Sequence, residues 1–155
     1  MGYNLLTINT GLEKDLLPKL EFSNRLSYTA QVLLSRKFNK NFSLELAPSF
    51  LHENFVRDNA QENSQFIMGI GGRYKLTKRF SLNMDYGYHF NRSSSSPFKN
   101  PLSIGVDIET GGHVFQLHFT NAQPMFENGF LGQGAGDWED GDFFFGFNLS
   151  RVFSF

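Results

Sequence analysis

From Leu26 to Phe155, apolar and polar residues alternate with period two, segment after segment and in the same sense. Leu26, Tyr28, Ala30, Val32 and Leu34 share one face, opposite Ser27, Thr29, Gln31, Ser35 and Lys37. Phe42, Leu44, Leu46, Pro48 and Phe50 oppose Ser43, Glu45, Ala47 and Ser49. Phe66, Met68, Ile70, Gly72 and Tyr74 oppose Gln65, Gly69, Gly71, Arg73 and Lys75. Phe80, Leu82, Met84, Tyr86, Tyr88 and Phe90 oppose Ser81, Asn83, Asp85, Gly87 and His89. Leu102, Ile104, Val106 and Ile108 oppose Ser103, Gly105, Asp107 and Glu109, and Phe115, Leu117 and Phe119 oppose Gln116, His118 and Thr120. The last segment, Asp142–Phe155, sets Phe143, Phe145, Phe147, Leu149, Phe153 and Phe155 against Phe144, Gly146, Asn148, Ser150, Val152 and Ser154, with Arg151 breaking the apolar series. Such alternation predicts strands: seven here, with a partial eighth at Tyr3–Asn9, where the pattern is poor.

The connections sharpen this. Asn39-Lys40-Asn41, Leu76-Thr77-Lys78 and Gly111-Gly112 are short turns, whereas Thr10–Asn24, His52–Ser64, Asn91–Asn100 and Asn121–Gly141 are long and polar. Short and long strictly alternate. An up-and-down meander then has every short turn at one end and every long loop at the other, as in transmembrane β-barrels. A two-residue turn at Gly111-Gly112 would pair Ile108 with Phe115, Asp107 with Gln116 and Val106 with Leu117, apolar with apolar and polar with polar. A one-residue slip would flip a whole face. Turns at the other two sites are expected to pair Phe38 with Phe42 and Tyr74 with Phe80.

A single domain spanning residues 1–155 is expected from the length. Phe occurs 19 times, yet hydrophobic residues total only 40%. No run approaches the roughly 20 apolar residues of a spanning helix; strands that face lipid on one side only conceal a membrane protein from that test. The net charge of −1 offers nothing to nucleic acid, and the absence of cysteine removes disulfides and thiolate chemistry. Met1-Gly2-Tyr3-Asn4 does not resemble a basic and apolar signal peptide, which favours a fragment of a longer chain.

GGRYKLTKRFSLN (Gly71–Asn83), LSIGVDIETGGHVFQLHFTN (Leu102–Asn121), GDWEDGD (Gly136–Asp142) and FGFNLSRVF (Phe145–Phe153) resemble the C-terminal half of an uncharacterised outer-membrane β-barrel family of Bacteroidota-type bacteria. RLSYTAQVLLSRKF (Arg25–Phe38) is similar but looser. The terminal Phe preceded by alternating apolar residues resembles the signal read by the outer-membrane barrel assembly machinery. The resemblance implies an all-β, antiparallel up-and-down transmembrane β-barrel, present as its C-terminal seven or eight strands. It also implies a location in the bacterial outer membrane, with lipid and the assembly machinery as partners. It implies no activity or cofactor.

The inward face carries Glu45, Arg73, Lys75, Asp85, His89, Asp107, Glu109, Gln116 and His118. They are either a polar pore lining or a network of paired charges filling a narrow barrel. Outward aromatics are expected as two membrane girdles. Phe38, Phe42, Tyr74, Phe80, Phe153 and Phe155 would lie at the short-turn end, and Phe50, Phe66, Tyr88, Phe90, Phe119 and Phe143 at the other. Asp85, His89 and Ser93 could be imagined as a hydrolase triad, but Ser93 lies in a plain serine-rich loop, so no catalysis is expected. Asp137, Glu139, Asp140 and Asp142 lack the spacing of a calcium loop, so no metal is expected. The Gly69-x-Gly71-Gly72 run precedes a strand rather than a helix, which fits a bend or room for a large neighbour across the lumen. The expected function is a passive pore or structural barrel. The alternative is a soluble lipocalin-like barrel with its aromatics turned inward around a small apolar ligand. With seven clean strands, an open or imperfectly closed sheet is expected, its first strand weakly bonded.

Overall fold

Each alternating segment is a strand in the computed structural model, which describes residues 1–11, 21–56, 61–124 and 126–151. In chain order these are β1 (Gly2–Ile8), β2 (Leu26–Val32), β3 (Leu34–Lys37), β4 (Phe42–Glu53), β5 (Ser64–Lys75), β6 (Phe80–His89), β7 (Leu102–Glu109), β8 (His113–Thr120), the short helix α1 (Glu127–Gly132) and β9 (Phe144–Arg151). Every strand pair is antiparallel, in the order β1-β2-β4-β5-β6-β7-β8-β9, with β3 continuing the line of β2 along β4. The sheet curls into a half-barrel. Among the described residues β1 and β9 do not pair with each other, so each leaves a free edge.

The break between β2 and β3 has a local cause. Register places Val32 opposite Pro48, between the pairs Gln31–Ser49 and Leu34–Leu46. Leu33 exchanges its backbone bonds with Met1 on the β1 side, 2.7 and 2.9 Å, so Val32 must look to β4. Proline has no N–H to offer there.

Register at Gly111-Gly112 is as expected: Ile108–Phe115, Asp107–Gln116 and Val106–Leu117 are pairs, closed by the Thr110 N–H donating to the His113 carbonyl at 2.9 Å. Gly111 has φ +73°, a conformation that an L side chain strains. Gly111→Ala should therefore cost about 1–2 kcal/mol, read as a lower urea midpoint of the folded sheet, whereas Gly112→Ala should cost less. Phe38 faces Phe42 as expected, its N–H donating to the Phe42 carbonyl at 3.0 Å.

The expected Tyr74–Phe80 pairing is corrected: Tyr74 lies opposite Leu82, and Leu76 is the residue bonded to Phe80. The hydroxyl of Thr77 accepts from the N–H groups of Arg79 and Phe80, at 3.1 and 3.0 Å, and centres the three-residue turn on Lys78, one residue later than expected, which shifts the pairing by two. A shift of two leaves every side chain on its face.

The weakly bonded first strand is also corrected. β1 pairs with β2 along its whole length, from Gly2–Val32 to Ile8–Leu26. Its exposure alternates regularly. Alternation looked poor only because inward-facing Tyr3 and Leu5 are as apolar as outward-facing Leu6 and Ile8.

Candidate functional site

Register stacks the inward side chains in rows across the sheet. One row runs Ser43, Arg73, Asn83, Gly105, His118, Gly146, and another Lys75, Ser81, Asp107, Gln116, Asn148. The third, nearer the long loops, runs Glu45, Gly71, Asp85, Ser103, Thr120. All nine sequence-derived lumen residues lie on this concave side. Together the rows line a cavity of about 400 Å³.

Toward the short turns the charges pair. Arg73 reaches over β6, where Ser81 and Asn83 are short, to Asp107 at 3.1 Å and Glu109 at 2.9 Å on β7. Lys75 stands 3.9 Å from Glu109, and the Gln116 amide donates to Asp107 at 3.1 Å. Asp107 is buried, so these donors replace its hydration. His118 lies over Gly146, where a Cβ would collide with the imidazole. Glu45 and Asp85 flank Gly71, whose missing side chain leaves the cavity open between two carboxylates.

The opposite end is closed by part of the long connection between β8 and β9, which contains the helix α1. Residues 121–124 and 126–141 lie over the concave face and include α1. The base of this segment is fixed to the β7–β8 rim. Asn121 accepts from the Leu102 N–H at 2.9 Å and donates to the Asn100 and Gly136 carbonyls, while the Lys99 N–H donates to Gly134 at 2.7 Å. Lys99 also reaches Asp137 at 2.8 Å, which holds the Asp137 carboxyl below its ordinary range and the Lys99 ammonium above its own.

The tip meets the far wall. Leu131 inserts against Leu51 and Ile67, with Phe130 beside them. Asn128 donates to Ser27 at 2.8 Å and accepts from Thr7 at 3.2 Å, and Gln133 donates to Glu53 at 3.2 Å. The seat is a row of small residues, Ala47, Gly69 and Gly87. Gly69 and Gly71 of the glycine run line a cavity of about 160 Å³ together with Glu127, Phe130 and Leu131, while Gly72 lies in the outward row between Leu44 and Met84. The signal for α1 was present in FLG (Phe130–Gly132), too short to show a helical period.

His89 lies beneath α1. Its Nε2 is 2.6 Å from the Leu131 carbonyl and 2.6 Å from Arg92, whose guanidinium is brought down to about 10 by burial and stays cationic at neutral pH. The Ser93 hydroxyl meets Ser95 at 2.8 Å. The residues imagined as a triad are therefore not assembled.

On the convex face, Phe38 stacks on Phe42 at 5.7 Å with Arg36 over its ring, and Phe42 pairs with Tyr74. Phe50 meets Phe66 at 5.2 Å, Tyr88 meets Phe90 at 5.4 Å, and Phe119 meets Phe143 at 5.4 Å. Tyr28, Trp138 and Phe145 join these clusters through His52, Phe143 and Phe119. Phe80 is also exposed on this side, while Phe153 and Phe155 lie outside the described residues. Met84, Phe66 and Phe147 are 50%, 53% and 69% exposed, so the side that packs on no protein is the apolar one. A water-soluble lipocalin-like barrel would have the reverse.

No curated protein and no solved structure matches the chain. A curled antiparallel meander with an apolar convex face and a polar concave one agrees with a family model that matches residues 1–153, and the chain belongs to that family, the membrane-bound beta barrel domain DUF5777.

Proposed function

We propose that the chain is part of the wall of a bacterial outer-membrane β-barrel, a passive element that encloses a polar lumen and performs no catalysis. The observation that carries this is the two-faced sheet: exposed Phe, Tyr, Met and Leu on the convex side, and paired charges with Ser, Asn and Gly on the concave side. Lipid is the partner that an apolar convex face of this extent requires. The two sets of aromatics then serve as girdles at the two interfaces. The barrel assembly machinery is the further partner, reading the C-terminal strand during biogenesis.

Refolding into liposomes tests the reading. The folded protein should need detergent or lipid, should migrate heat-modifiably on a gel, and should give a lipid-exposed spin label at Met84 and a water-exposed one at Asp85. Recovery of folded protein in water without detergent, with the label at Met84 shielded, would instead favour the soluble lipocalin-like carrier.

A further inference from the structure

We propose that residues 126–133 are a movable plug, which closes the lumen at the long-loop end and swings out as a unit about the base at Asn121 and Gly134–Gly136. This rests on the barrel reading only for the identity of what is closed.

The two attachments differ in kind. The base is tied by backbone bonds between Lys99 and Gly134 and between Gly136 and Asn121, reinforced by the buried Asn121 amide. The tip is held by side-chain contacts, those of Asn128 and Gln133 with the wall and those of His89 and Arg92 with the Leu131 and Gly132 carbonyls, and by the inserted Leu131 with Phe130 beside it. α1 is six residues long, and its N-cap residue, Phe126, makes no side-chain capping bond, so the helix has little stability apart from its seat.

Closure also has a cost that opening relieves. Leu51, on which Leu131 sits, pairs with Thr29 on one side and Gln65 on the other. The hydroxyl of Thr29 and both amide atoms of Gln65 are buried without a hydrogen-bond partner among the described residues. The same holds for Oε1 of Gln61, whose amide holds Glu53, and for Nδ1 of His89 beneath the helix. Buried polar groups in this state oppose the seating of the tip. Apolar insertion and polar desolvation at one seat oppose each other, so part of what Leu131 contributes to seating is offset. Both glycines of the seat row are required by the wall itself: a Cβ at Gly69 would lie 2.9 Å from Ala47, and one at Gly87 would lie 2.8 Å from Pro101.

Hydrogen exchange of the refolded chain in liposomes tests this. Amides of residues 127–133 should exchange together and roughly tenfold faster than those of Asn121 and Gly136, as a locally opening unit does. The chain has no native cysteine, so a Ser27→Cys/Asn128→Cys disulfide can tie the tip to the wall. Oxidation should slow the exchange of 127–133 by roughly tenfold and reduction should restore it, while Leu131→Ala should speed it. As a second measurement, a single Gln65→Cys should react with maleimide under native conditions, and faster in the Leu131→Ala background. Exchange of 127–133 only at the rate of the β4–β5 amides, or a disulfide that changes nothing, would make the segment a fixed part of the wall. Either result leaves the barrel reading standing, because neither measurement depends on ion flow.

Discussion

Met84→Arg lowers the stability of the lipid-inserted sheet by about 2–4 kcal/mol, whereas Phe90→Arg costs about 0–1. The difference is one of depth. Met84 is half exposed on the convex face of β6, between Gly72 on β5 and Ile104 on β7. Phe80 lies four residues to one side and Tyr88 four to the other, or about 13 Å each way along a strand, so a guanidinium at Met84 has the longest path to either interface. At Phe90, beyond the end of β6, the same group meets headgroups and water by extending its stem. Urea titration of both variants refolded into the same lipid measures the gap. Equal stabilities would remove the assignment of Met84 to the bilayer centre.

Arg73→Met is expected to cost about 2–3 kcal/mol, below the 3–5 typical of stripping one partner from a fully buried pair, because the guanidinium is partly wet. Asp107 is the reason for the loss: with its side chain 6% exposed, it would keep only the Gln116 amide. Adding Asp107→Leu should recover most of the loss, since Glu109 still has Lys75 nearby and the uncompensated carboxylate is gone. Equilibrium unfolding of the two single variants and the double closes a thermodynamic cycle. If Arg73→Met alone left stability unchanged, the triad of Arg73, Asp107 and Glu109 would be a surface pairing of little consequence.

Strand faces were legible in the chain because period two is a local signal and the outward positions are apolar with few breaks, Arg151 among them. The Gly111-Gly112 turn was legible for a related reason: only one loop length keeps Ile108 opposite Phe115 and Asp107 opposite Gln116. Parity survives a shift of two, however, and so the alternation could not distinguish Tyr74–Phe80 from Tyr74–Leu82; Thr77 decided it through its hydroxyl. β1 was obscured because Tyr3 and Leu5 are apolar on the inward side. The plug was hidden for a different reason. Its contacts join Asn128 to Ser27 and Leu131 to Leu51, residues far apart in the chain, and no periodicity reports a contact made by a single turn of helix. Charge pairing in the lumen was foreseeable as a class, but which carboxylates Arg73 would take depended on the shortness of Ser81 and Asn83 in the strand between.

The two free edges carry one shared specification. Because Met1 and Leu33 exchange their bonds, and hydrogen bonding alternates along an antiparallel pair, the unpaired backbone groups of β1 belong to Gly2, Asn4, Leu6 and Ile8. By the same count from Thr110 and His113, those of β9 belong to Phe145, Phe147 and Leu149. At both edges these are the residues whose side chains point outward. Any strand that docks on either edge must therefore be apolar at the positions through which it bonds. β1 runs toward the long loops and β9 away from them, so a meander can grow from either side only by whole hairpins if its termini are to stay at the short-turn end. Circumference becomes a modular quantity, adjustable two strands at a time with no change to the seam.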